Sequence, residues 1–122
     1  MTSEQFIKFR EMIEREFSHA VTKHPKFCDL LVNKMSNWDR LEHMQKVVNS
    51  EPPYYGENIL LEEVAEAFAA YSKGDLEHAL QEFAQCGAVV MRCMEFITNQ
   101  LDQKLSQSVT PEILDKKMAS ET

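Results

Sequence analysis

The stretch that decides the fold is ENILLEEVAEAFAAYSKGDLEHALQEFAQ, residues 57–85. Its one glycine, Gly74, separates two proline-free segments whose apolar residues recur at three- and four-residue steps. That period belongs to helices. Glycine readily takes the left-handed conformation that closes a helix, and the Asp75 side chain suits the cap that opens the next one. The pattern predicts a helix from about Glu57 to Lys73, a cap at Gly74, and a second helix periodic to about Leu105. So short a connection forces antiparallel neighbours, a helix hairpin.

The acids are placed symmetrically about this turn. Glu66 lies eight residues before Gly74 and Glu82 eight after it; Glu63 and Gln85 are each eleven away. At a rise of ~1.5 Å per residue, the inner pair sits ~12 Å from the turn and the outer pair ~16 Å. Glu66 should therefore come level with Glu82, and Glu63 with Gln85, and residues three apart share a helix face. Ile59, Ala67 and Ala70 lie near the angular position of Glu63 and Glu66; Cys86, Val89, Cys93 and Phe96 surround Glu82. Carboxylates in an apolar stripe are costly unless partnered, and a hard divalent cation with oxygen ligands relieves their repulsion. On spacing alone, a solvated acidic face is the competing explanation. Gln85 borders the polar strip of Gln81, Arg92 and Asn99, and Glu62 points further out, as a surface charge or a helper beside the site.

Working outward, Asn49 to Gly56 (NSEPPYYG) reads as a loop. Before it, Trp38, Leu41, Met44, Val47 and Val48 form one apolar helical stripe, and Phe27, Leu30, Leu31 and Met35 another, with Ser36-Asn37 as the break. The spacing fits two helices or one bent helix. The first helix is marked by Thr2 and Gln5, which fit a capping box, and by Phe6, Phe9, Ile13, Phe17 and Ala20. His24-Pro25 should end it. After the hairpin, Thr110-Pro111 can cap a short helix to Met118. The expected organisation is one helical domain over 1–105, with the hairpin at 57–104, and a tail over 106–122.

The 122-residue composition agrees with an all-α bundle: 43% hydrophobic, 27% charged, and only three glycines and four prolines to punctuate the chain. Twenty acids against 13 bases leave a net charge of −7, which argues against DNA or RNA binding by charge neutralisation. A small phosphorylated ligand bridged by a divalent cation is compatible with that charge. The odd cysteine count, the absence of a Cys-x-x-Cys pair, an N-terminus without signal-peptide order and the lack of a long apolar run predict a cytoplasmic, reduced protein, off the membrane.

Leu-Glu62-Glu63-Val-Ala-Glu66-Ala, then Gly74-Asp75, then Glu82-x-x-Gln85, resembles the MazG-like nucleotide pyrophosphohydrolases, whose signature is Glu-x-x-Glu, a variable gap and Glu-x-x-Asp on facing helices. The resemblance covers about residues 57–100. It implies that Glu63, Glu66 and Glu82 hold Mg²⁺, or Mn²⁺ in its place, and that the protein splits a nucleoside triphosphate into a monophosphate and pyrophosphate. Gln85 stands where the signature has aspartate. Its oxygen can ligate or orient water, but it carries no charge and cannot act as a base. The run Gly74-Asp75-x-x-His78-x-x-x-Glu82-x-x-Gln85 is similar to a subgroup of the family. The alternative is a catalytically silent helical module that binds a nucleotide or a protein partner.

Other residues carry weaker readings. Arg92, Lys73 and Trp38 are candidate substrate contacts: Arg92 for phosphate, Trp38 (with Tyr54 and Tyr55) for stacking on a base, and Lys73 at a helix end that it more simply complements. His78 and Glu82 are four apart, a spacing zinc sites use, but no second His or Cys joins them. Cys28, Cys86 and Cys93 read as small core residues. The second hairpin helix is apolar on two sides, so a homodimer or homotetramer should complete the bundle.

Overall fold

The computed structural model describes residues 1–108. They form four helices, α1 (Ser3–Lys23), α2 (Trp38–Val48), α3 (Gly56–Ser72) and α4 (Leu76–Ser108), and no strand occurs among them. The short helix expected before Met118 lies outside the described residues. No described helix is long and apolar enough to cross a membrane.

Local chemistry sets the helix ends. At the start of α1, Gln5 N–H donates to Thr2 Oγ1 at 3.1 Å while Thr2 N–H donates to Gln5 Oε1 at 3.0 Å, the reciprocal pair of a capping box. The helix stops before His24-Pro25. Asn37 caps α2 by accepting from Arg40 N–H at 3.1 Å. Between α3 and α4, Gly74 has φ of +81°, a conformation open to glycine and strained for most other residues. Asp75 Oδ1 then accepts from His78 N–H at 3.2 Å and so opens α4.

Residues 24–37 correct one expectation, for they form turns and bends instead of a helix. Phe27, Leu30 and Met35 share helical spacing, yet all three stand in solvent, so no packing rewards a helix there. Local polar bonds supply a competing geometry: Asn33 Oδ1 accepts from Met35 N–H at 2.9 Å, and Ser36 N–H donates to the Asn33 carbonyl at 3.0 Å. Trp38–Val48 is therefore a separate helix.

The chain packs around α3, which lies against α4 on one side and α2 on the other; α1 touches α4 only lightly. Small residues dominate the buried positions. The buried apolar residues are Ala65, Ala67, Ala69 and Ala70 of α3, Ala79 and Cys86 of α4, and Phe9 of α1. Trp38 of α2 stacks on Phe68 of α3 at 4.8 Å between ring centroids, and Phe68 meets Phe83 of α4 edge-on at 5.2 Å. These rings fasten three helices together at one level.

α2 also differs from its sequence pattern. The side turned inward is Trp38, Glu42, Gln45 and Asn49, all half-buried, while Leu41, Met44, Val47 and Val48 are exposed. The apolar stripe is present, but nothing among the described residues covers it. α1 behaves alike: of Phe6, Phe9, Ile13 and Phe17, only Phe9 is buried.

Candidate functional site

The acids of α3 and α4 meet where the alanine seam lets the two helices approach. Ala67 is fully buried and Ala70 and Ala79 nearly so, leaving little side-chain bulk between the backbones. Glu66 and Glu82 face each other across the seam closely enough for their carboxyls to interact, which helps to raise the Glu66 carboxyl. The Gln85 amide, with its nitrogen towards the acids, donates to Glu63 Oε2 at 2.9 Å and to Glu82 Oε2 at 3.3 Å. One helical turn back along α3 thus corresponds to one turn forward along α4, as expected of antiparallel neighbours. Gln85 itself is exposed, but its head group bends into the cluster.

Glu62 requires a correction. It does not point away from the site: one oxygen from each of Glu62, Glu63 and Glu66 can be chosen so that all three lie within 4.8 Å of one another. Its orientation comes from α2. Asn49 Nδ2 donates to Glu62 Oε1 at 3.0 Å and to the Asn58 carbonyl at 3.0 Å, so the end of α2 holds both the loop exit and a site carboxylate. Neither Asn49 nor the inward turn of Glu62 is visible in local spacing, because the bond spans 13 residues between different helices.

The electrostatics follow from burial and crowding. Glu82 keeps only 7% of its surface exposed, an unusual position for a carboxylate. Burial raises the Glu66 carboxyl to about 8, helped by its hydrogen bond to Glu82 and by the charges of Glu63, Glu82 and Glu62. Burial also raises Glu63, with the Glu82 and Glu62 charges adding to it. Buried Cys86 lies beside the same acids; burial first, then Glu63 and Glu82, push its thiol up and keep it protonated and unreactive. Cys93 is half-buried, whereas Cys28 is exposed and so is not a core residue.

His78, one turn before Glu82, points its Nε2 at Glu82 Oε1 from 3.0 Å. The four-residue spacing noted for zinc is realised as a hydrogen bond to a site acid. Lys73, at the end of α3, pairs with Asp39 of α2 at 2.9 Å, a bond that raises its amine above the ordinary range. It is committed to holding the turn against α2. Trp38 is committed to Phe68. Arg92 is exposed and, among the described residues, makes no ion pair.

The donor set suits a hard cation. Every acidic group is an oxygen ligand, the cluster carries repelling carboxylates in a partly dry setting, and no lysine or arginine neutralises it among the described residues. One turn before Asn49 on the inward side of α2, Gln45 Oε1 is buried with no hydrogen-bond partner. No family model, curated protein or solved structure matches the chain, so the chemistry of these side chains carries the functional reading.

Proposed function

We propose that the protein is a Mg²⁺-dependent nucleoside triphosphate pyrophosphohydrolase of the MazG-like kind, releasing a nucleoside monophosphate and pyrophosphate. The observation that carries this reading is the convergence of Glu62, Glu63 and Glu66 on one spot, with nearly buried Glu82 beside them across the Gln85 amide and the Glu66 carboxyl raised to about 8. Glu63, Glu66 and Glu82 would hold the ion, with Mn²⁺ a substitute and Glu62 added to the set the sequence suggests. Held there, Mg²⁺ would supply positive charge to a triphosphate and Lewis acidity to water.

The chain's own groups divide the remaining work. Glu66, the most perturbed acid, holds a proton near neutral pH in the ion-free chain, which a bound cation would displace. Gln85 donates to two carboxylates here, and a half-turn of its amide would present the oxygen instead. Its neutrality leaves base chemistry to the glutamates. Arg92 remains available for a phosphate; Lys73 and Trp38 are already engaged. The uncovered apolar faces of α1, α2 and the far end of α4, including Phe17, Val47 and Phe96, support a homodimer or homotetramer completing the bundle.

A second reading rests on Gln85. Because its amide already satisfies Glu63 and Glu82 in part, the cluster can exist as a silent nucleotide-binding or protein-interaction module. Purified protein incubated with a panel of ribo- and deoxynucleoside triphosphates and Mg²⁺ separates the two. Pyrophosphate release is expected, falling by roughly 100-fold or more in Glu66→Gln and Glu82→Gln with helical content retained. No release from any nucleotide, combined with nucleotide-dependent thermal stabilisation, would replace the enzyme with the binding module.

A further inference from the structure

Glu82 is the most buried acid of the cluster, and its two oxygens have different partners. Oε1 faces His78 Nε2 at 3.0 Å, while Oε2 faces the Gln85 amide at 3.3 Å and thereby the Glu63 side of the site. Donation to Oε1 requires the hydrogen on Nε2. The imidazole Nδ1 then lies 3.7 Å from Asp75 Oδ2, beyond a good hydrogen bond. The backbone beneath the ring is fixed as well, because His78 N–H is the group that Asp75 caps. A bond from the capped first turn therefore reaches one oxygen of a buried carboxylate.

We propose that His78 is a positioning residue: by donating to Glu82 Oε1 it sets the plane of that carboxylate and reserves Oε2 for a divalent cation. This role rests on the metal-binding reading above. Without the imidazole, Glu82 can turn about its last torsion, steered only by the Gln85 amide and the neighbouring Glu66 carboxyl. Donors behind a ligand typically change metal affinity by about 10- to 100-fold, because they fix the orientation that the ion would otherwise have to impose. An ordinary surface pair at this helical spacing would instead have only a weak effect on helix stability. The half-exposed imidazole is a mild place to cut, since its removal opens no core cavity.

The test is Mn²⁺ titration of the full chain, followed by the electron paramagnetic resonance of free Mn²⁺, with ion-free melting recorded alongside. His78→Ala should weaken Mn²⁺ binding about 10-fold with little change in ion-free melting. His78→Gln, whose amide nitrogen can occupy the Nε2 position, should recover most of that loss, whereas His78→Asn, one carbon shorter, should not. Wild-type affinity in His78→Ala, or a Gln variant as weak as the Ala variant at equal melting temperature, overturns the positioning role and leaves the metal site standing. A wild-type chain that binds no Mn²⁺ overturns the metal reading and this inference together.

Discussion

Along α3 and α4 the buried positions hold mostly alanine, whereas along α1 most of the large apolar side chains stand in solvent. The two regions have similar helical periodicity in sequence and opposite fates in space. In the α3–α4 pair, small residues allow close approach, so what gathers at the seam is polar: four carboxyls and an amide. In α1 the bulky residues have the greater capacity for hydrophobic stabilisation, yet among the described residues most of that capacity is unused. One region brings charges together, and the other leaves its apolar side chains exposed among the described residues.

The sharpest way to break this contrast is Phe17→Glu, which places a charge on an α1 side chain that is 69% exposed. Sedimentation should show the wild type as a dimer or tetramer and the variant as a monomer, with the helical signal kept. A wild type that sediments as a monomer at high concentration would remove the need for cover. The next test acts on the opposite seam. Ala67 has no exposed surface, and Ala67→Leu would force α3 away from α4. Overpacking of this kind should cost about 1–3 kcal/mol in thermal or denaturant unfolding, with Mn²⁺ binding lost as the carboxyls separate. Full stability in the Ala67→Leu variant would show that the seam is looser than its burial implies.

A smaller effect sharpens the polar side of the comparison. The Glu66 carboxyl is raised from 4.5 to about 8, chiefly by burial, so the folded chain keeps a proton that the unfolded chain gives up. Its stabilisation is complete below 4.5 and lost as pH rises through about 8. Ion-free protein should therefore melt lower at about pH 9 than at about pH 6, and Mg²⁺, which needs ionised carboxylates, should stabilise more at the higher pH. Calorimetric melting with and without Mg²⁺ checks both; a flat ion-free profile would mean that the acids ionise independently.

Much of this was legible in the residues, where the determining interactions are local. Thr2 with Gln5, Asn37, and Gly74 with Asp75 announce helix ends because capping acts over three or four residues. Glu66 opposite Glu82 and Glu63 opposite Gln85 follow from counting turns away from Gly74. The rest depends on partners distant in sequence. Glu62 turns inward because Asn49 reaches it from α2, and no pattern within α3 encodes that bond. Phe27, Leu30 and Met35 imitate a helical stripe, but a stripe with nothing to pack against loses to the turn around Asn33. On α2, contact with α3 at Trp38 and Asn49 overrides the apolar side and leaves Leu41 and Met44 outside. His78 shows the limit of reading spacing alone: its four-residue step to Glu82 lacks the further His or Cys of a zinc site, and only the geometry shows it bonded to the acid itself.

The turn at Lys73-Gly74-Asp75 has a final consequence. Three residues join α3 to α4, and Lys73 is bolted to Asp39, so the connection has little slack. Each residue gained or lost there would rotate α4 by about 100° and slide it by ~1.5 Å, as one gear wheel slips against its neighbour. Glu82 would leave the cluster without any acid being altered. The length of this link is thus as much a determinant of the chemistry as the identity of the glutamates it aligns.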